Sequence, residues 1–227
     1  MLRMLKVAMN LRINYTFEQK IWHCLFYGHY IILELRDETK RTVRYTCIDL
    51  RDNNICWENL DLKVSWYQSL SEVVNGAVCI YEYEAEDKPV IKQTFWVDVV
   101  SGELRDTIQN DSVPSREIAR PQTPIHYIEE NPYFSVIFNF LYRLLKIEAQ
   151  KAVDYLEVGD KIIISYYIYH QNLLFNYLLV TNRKREVLLN KLIATSDGIG
   201  IDTFVVSTGL LLYVGNKNQL LGYEIET

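Results

Sequence analysis

Short apolar runs separated by compact polar breaks repeat along this chain, and the repeat carries most of what the sequence says about its fold. The first run is Ile31 to Leu35, followed by a charged turn at Asp37 to Arg41, a second run from Val43 to Leu50, a turn at Arg51 to Asn54, and a short third run, Ile55 to Trp57. The plan recurs as Val78 to Tyr83, a turn around Asp87 to Pro89, Ile91 to Val99, the turn Ser101-Gly102, and Glu103-Leu104. It recurs again as Ile162 to Tyr167, Gln171-Asn172, Leu173 to Val180, and, after a basic turn, Glu186 to Leu189. Runs of this length and composition bounded by turn residues predict antiparallel strands joined by tight turns. Aligning Ile48-Asp49 with Val97-Asp98 sets Asn53 opposite Gly102, two residue types that accept the positive φ of a tight turn. Asp49 and Asp98 share the slot before the turn, where a carboxylate orders the turn by accepting backbone N–H bonds.

A partial copy closes the chain: Ile201 to Val206, a turn at Ser207 to Gly209, Leu210 to Val214, a turn at Gly215 to Asn218, and Leu220 to Ile225. A final sheet ending there exposes an edge, and the apolar, extended segment Lys6 to Phe17 is expected to supply the missing strand. Modules of about 40–50 residues with several strands each are the signature of a β-propeller, and 227 residues hold about five of them. The expected fold is therefore mostly β: a single propeller-like domain over residues 1–227 of about five blades, closed by the N-terminal strand. A β-sandwich or irregular barrel is the alternative. One segment departs from the module. Phe134, Ile137, Phe138, Leu141, Leu144 and Leu145 fall at helical spacing after Pro132, which predicts one inserted amphipathic helix from Tyr133 to Ile147.

Composition narrows the function classes. The 17 tyrosines, 8 phenylalanines and 4 tryptophans suit strands and a ring-filled core. A net charge of −5 argues against nucleic acid as a partner. No run reaches the length of a membrane span, and the N-terminal apolar stretch is interrupted by Lys6, Asn10 and Arg12, unlike a signal peptide. Cys24, Cys47, Cys56 and Cys79 form no metal-binding spacing and lie in or beside apolar runs, which points to a reducing compartment, the cytoplasm.

The blocks Cys47-Ile48-Asp49-Leu50 to Trp57 and Trp96-Val97-Asp98 to Leu104 resemble blades of quinoprotein-dehydrogenase-like propellers, in which an aliphatic-Asp pair, a turn Gly and a Trp recur. Here the Trp is replaced by Asp106 at the second site, and Asn53 stands for Gly at the first. No quinone-binding residue carries across. Read whole, with Trp66-Tyr67 and Leu70, the run Asp154 to Tyr167, and Leu212-Tyr213 with Asn216-Lys217, the chain is similar to an uncharacterised bacterial family of unknown function. That resemblance implies a propeller-like protein and no particular chemistry.

Catalytic signatures are missing. His23, His29, His126 and His170 stand in no H-E-x-x-H or related frame, and Gly198-Ile199-Gly200 is not a phosphate loop. No cofactor or metal is expected. The leading expectation is a non-catalytic binding platform for a protein partner or a small ligand such as a saccharide. Its candidate contact residues are Trp66, Tyr67, Tyr166 and Tyr167, because adjacent rings on a strand point to opposite faces, placing one of each pair in the core and freeing the other. The alternative is a glycoside hydrolase using two carboxylates in a cleft roughly 5–10 Å apart, with Glu34, Glu82, Asp154 and Glu157 as candidates.

Overall fold

The computed structural model describes residues 9–58, 65–85, 87–106, 120–196 and 198–225. It divides into two compact units, one made of Met1–Tyr15 with Gln122–Thr227 and the other of Thr16–Pro121. The first strand, β1 (Leu11–Thr16), precedes the second unit in sequence and joins a sheet of the first.

The unit spanning 16–121 holds two sheets of four strands, each ordered as the chain runs. β2 (Lys20–Tyr27), β3 (Tyr30–Asp37), β4 (Thr42–Asp49) and β5 (Asn54–Glu58) form one; β6 (Gln68–Val74), β7 (Ala77–Ala85), β8 (Lys88–Asp98) and β9 (Leu104–Arg105) form the other. β3 is buried from Ile31 to Arg36, and a strand covered on both faces shows up as a continuous apolar run rather than an alternating one. Ile32, Val43, Tyr45 and Cys47 of one sheet share a core cluster with Val78, Ile80 and Val97 of the other.

Turn chemistry follows the sequence alignment. Asp49 Oδ1 accepts the Arg51 N–H at 2.8 Å, and Asp98 Oδ1 accepts those of Val100 at 2.8 Å and Ser101 at 2.7 Å. Asn53 has φ 54° and Gly102 φ 74°. The gap left by the missing Gly102 side chain is filled by Trp57, whose Cγ would lie 2.7 Å from a Cβ built there. Trp57 Nε1 donates to the Val99 carbonyl at 2.8 Å, tying β5 of one sheet to the turn after β8 of the other.

In the other unit, β10 (Ile125–Ile128), helix α1 (Pro132–Leu145), β11 (Gln150–Val158), β12 (Lys161–His170), β13 (Leu173–Asn182) and β14 (Val187–Ser196) precede β15 (Val205–Ser207), β16 (Leu210–Gly215) and β17 (Gln219–Glu224). β10 to β14 form a five-stranded antiparallel sheet in chain order, and the last sheet runs β1-β17-β16-β15. The N-terminal strand therefore covers β17, as its pattern predicted: the Glu224 N–H donates to the Asn10 carbonyl at 2.9 Å, and Ile13 is fully buried against Gly222. α1 lays Phe134, Ile137 and Leu141 on Val153, Ile164, Tyr166 and Leu179 of the five-stranded sheet. The sheet's other face packs Ile163, Leu178 and Val180 against Leu211 and Tyr213 of the last sheet.

Four antiparallel sheets and one helix are present among the described residues, and no sheet closes into a barrel. Residues 107–119 lie outside the described set. Two expectations shift. Three of the four sheets have strands ahead of the predicted run, β2, β6, and β10 with β11, and the last module's first strand begins at Val205, not Ile201, because the backbone bends at Asp202, with φ 52°. Among the described residues, no helix is long and apolar enough to cross a membrane.

Candidate functional site

Within residues 16–121, a buried ion pair joins the two sheets. Glu34 and Arg36 are two apart on β3 and so face the same way. Glu34 is fully buried; its Oε1 accepts Arg36 Nε at 2.6 Å, and its Oε2 accepts the Leu70 N–H at 2.8 Å and the Ser69 hydroxyl at 3.0 Å. The remaining guanidinium nitrogens donate to the carbonyls of Trp66 at 3.1 Å and Gln68 at 2.6 Å. A buried charge persists only when paired and hydrogen-bonded, and here the pairing ties β3 to the start of β6. Glu82 extends the network: it accepts Gln68 Nε2 at 3.4 Å and Lys92 Nζ at 2.8 Å. The Lys92 hydrogen bond, outweighing burial, holds the Glu82 carboxyl below its ordinary value.

Two indoles flank this locked guanidinium. Arg36 Cζ lies 4.9 Å from the Trp66 ring centroid and 5.4 Å from that of Trp22, and Arg41 Cζ lies 5.3 Å from Trp66. Such stacking is attractive electrostatically and fixes ring orientation. Trp66 is half-buried, whereas Trp22 on β2 is 57% exposed. The result is a tryptophan held by a rigid cation and turned to solvent.

A second polar cluster lies in the other unit. Asp154 on β11 is buried; its Oδ1 is 2.6 Å from His126 Nδ1 on β10, and its Oδ2 accepts the Thr203 N–H at 3.0 Å and hydroxyl at 2.7 Å. His126 and Asp154 are direct partners in the β10–β11 register, which sets both side chains on one face.

Of the sequence-chosen aromatics, Trp66 falls in the first cluster and Tyr67 beside it, both half-buried. Tyr166 and Tyr167 correct the expectation that one ring of the pair is free: both are buried, with exposures of 0% and 2%. β12 lies mid-sheet, covered on both faces, so alternation sends each ring into a different buried layer. Tyr166 stacks on Tyr177 and donates to Asn190 Oδ1, and burial pushes its hydroxyl up to about 12. Tyr167 accepts the Gly200 N–H at 2.7 Å. Among the carboxylates, Glu34 and Asp154 each use both oxygens inside a network, Glu82 is salt-bridged, and Glu157 is exposed beside Tyr155 and Arg183.

Sequence reasoning passed over Trp22, Arg36 and His126. The first two had a signal: Glu34-Leu35-Arg36 inside a buried apolar run marks an internal ion pair that needs covering. His126 had none, because its partner is brought to it only by strand register. Among the described residues, no group of three or more His, Cys, Asp or Glu could hold a metal.

Sheets of antiparallel strands, three of them in chain order, stitched by buried polar clamps, place the chain among mostly-β proteins with one added helix. Residues 28–105, about a third of the chain, match the family described as Domain of unknown function (DUF4905). The matched segment includes the Asp49-to-Trp57 block and Trp66-Tyr67 and ends just past Leu104, so the resemblance to an uncharacterised family holds over that span. No curated protein matches the chain.

Proposed function

We propose that the protein is a binding platform for a protein partner or a small ligand such as a saccharide, with Trp22 and Trp66 as its anchor residues. One observation carries this reading: Trp22 is 57% exposed, yet its ring is stacked on a guanidinium clamped by Glu34 and two backbone carbonyls. An aromatic ring oriented in advance offers contact area at small entropic cost, the property of binding hot spots. The consecutive order of strands in three of the sheets, and the N-terminal strand completing the last, support arranging the four sheets as propeller blades, a rigid frame for such a site. The free thiols of Cys24, Cys47, Cys56 and Cys79 support a reducing compartment, the cytoplasm.

The test compares wild type with Trp22→Ala. The substitution is expected to change stability by only about 0.5 kcal/mol, as exposed positions do. A saccharide at about 100 times its Kd raises the wild-type Tm by roughly 5–10 °C, and Trp22→Ala abolishes that rise. A protein partner shows instead as a stoichiometric complex that Trp22→Ala fails to form. Binding of equal strength by the two proteins rejects the reading.

A further inference from the structure

We propose that α1 is a self-association surface, pairing antiparallel with α1 of a second copy of this chain across a two-fold axis beside Val136. The proposal goes beyond the binding reading and does not rest on it, since Trp22 and Trp66 belong to the unit 16–121.

A helix lying on a sheet ordinarily turns a charged or polar face to water. α1 has little to turn: from Pro132 to Leu145 its one charged residue is Arg143. Tyr133 and Val136 are 63% and 64% exposed, and Phe140 is half-buried. These three stand at i, i+3 and i+7, and Arg143 follows at i+10. That spacing lines one side of a helix and is the seam by which helices pair. Two polar residues of the same helix direct their donors to its own backbone. The Ser135 hydroxyl donates to the Pro132 carbonyl at 2.7 Å, and Asn139 Nδ2 to the Ser135 carbonyl at 2.8 Å. Covering them therefore strands few hydrogen-bond donors. Tyr133 also has a fixed neighbour, the Tyr127 ring of β10, with centroids 5.5 Å apart.

Charge selects the occupant. Glu129 and Glu130 stand just ahead of the helix, and Arg143 and Lys146 at its end. Glu130 and Arg143 are exposed, and among the described residues neither is in an ion pair. With one end acidic and the other basic, a reversed second copy matches both ends at once, the self-complementarity that a two-fold contact demands. The spacing agrees. Glu130 comes three residues before Tyr133, and Arg143 three after Phe140. The register that sets Glu130 of one copy opposite Arg143 of the other thus also sets Tyr133 opposite Phe140, with Val136 beside the axis. A membrane surface fits less well, because it favours a polar face rich in Lys and Arg, and here two glutamates precede the helix. One helix from each copy is a small contact, so dissociation is expected at about micromolar concentration.

Sedimentation equilibrium of the full chain tests this. Wild type is expected to pass from monomer to dimer as its concentration rises through the micromolar range. Val136→Asp sets a carboxylate from each copy beside the axis and leaves a monomer; the position is exposed, so circular dichroism and the thermal midpoint of the monomer stay those of wild type. Glu130→Arg and Arg143→Glu each weaken the dimer by about tenfold, because the pair recurs on both sides of the axis and turns from attraction to repulsion. Mixing these two variants restores the wild-type affinity, since opposite charges again face each other at both ends of the heterodimer, a rescue that local damage to the fold would not allow. The proposal is overturned if wild type stays monomeric throughout, if the dimer survives Val136→Asp and so lies on another face, or if the mixture associates no more tightly than either variant alone. It is overturned equally if wild type stays monomeric and instead binds phosphatidylcholine–phosphatidylglycerol vesicles or a different protein in a manner that Val136→Asp abolishes.

Discussion

Gly102 shows how one residue type can be required twice over. Its φ of 74° is a conformation that side chains resist, and the space where a side chain would go belongs to Trp57, with Cγ 2.7 Å from an added Cβ. Both costs point the same way. Gly102→Ala is expected to destabilise the protein by about 2–3 kcal/mol, measured as a lowered urea midpoint with an unchanged slope. Asn53, in the matching turn, reaches φ 54° with a side chain in place, so the pairing read from sequence concerned backbone shape and not residue identity. Asp98, before the Gly102 turn, carries a pH prediction. Burial pushes its carboxyl up, but the N–H bonds from Ser101 and Val100 and the Arg105 guanidinium outweigh it, leaving it below the ordinary 3.8. Asp49 is lowered in the same way, with the Arg51 side chain and amide outweighing burial. A carboxyl lowered on folding stabilises the folded state above its unfolded value and ceases to do so as pH falls through the folded one. Stability is therefore expected to hold from neutrality to about pH 5 and then fall. Asp98→Asn weakens this acid-side dependence in urea titrations repeated across that range; an unchanged dependence would mean Asp98 does not contribute to it.

At the scale of elements, α1 was legible almost to its ends, and the reasons are local. The Asn131 side chain accepts the Tyr133 N–H at 2.9 Å, Pro132 opens the first turn, and Lys146 at φ 59° closes the last. Asn131→Ala removes that cap and is expected to cost about 1 kcal/mol, seen as a lower thermal midpoint with wild-type helical signal before the transition. The central strands were legible for the opposite reason: β3, β7 and β12 are buried so fully that they form apolar runs. β2 and β6 were not, because partial exposure of most of their residues breaks up both the run and the alternation. The same limit hid half of each cluster. Trp66 and Asp154 were picked out by type, but Trp22 stands on an unrecognised strand, and His126 meets Asp154 only through the register of β10 on β11.

At the scale of the whole molecule, the unit 16–121 is continuous in sequence, whereas the other is assembled from both flanks of it. Its final sheet needs β1 beside β17, and the pairing is reinforced where the two meet: Asn10 Nδ2 donates to Glu224 Oε2 at 2.8 Å, and Arg12 pairs with Glu224 Oε1 at 3.3 Å. That contact spans more than 200 residues of chain, and long-range pairing of this kind slows folding because loop entropy is lost before the contact forms. The same adjacency makes the order of the units in the gene a matter of choice rather than necessity. With the β17 end lying against the β1 start, a short glycine-serine bridge can join Ile225 to Met9, and the chain can be reopened before Gln122. In such a circular permutant each unit is continuous, and the β17–β1 connection becomes a local hairpin. The rearranged protein is expected to keep its thermal midpoint within a few degrees and to refold faster in stopped-flow experiments; refolding no faster than the parent would show that joining these strands does not limit the rate.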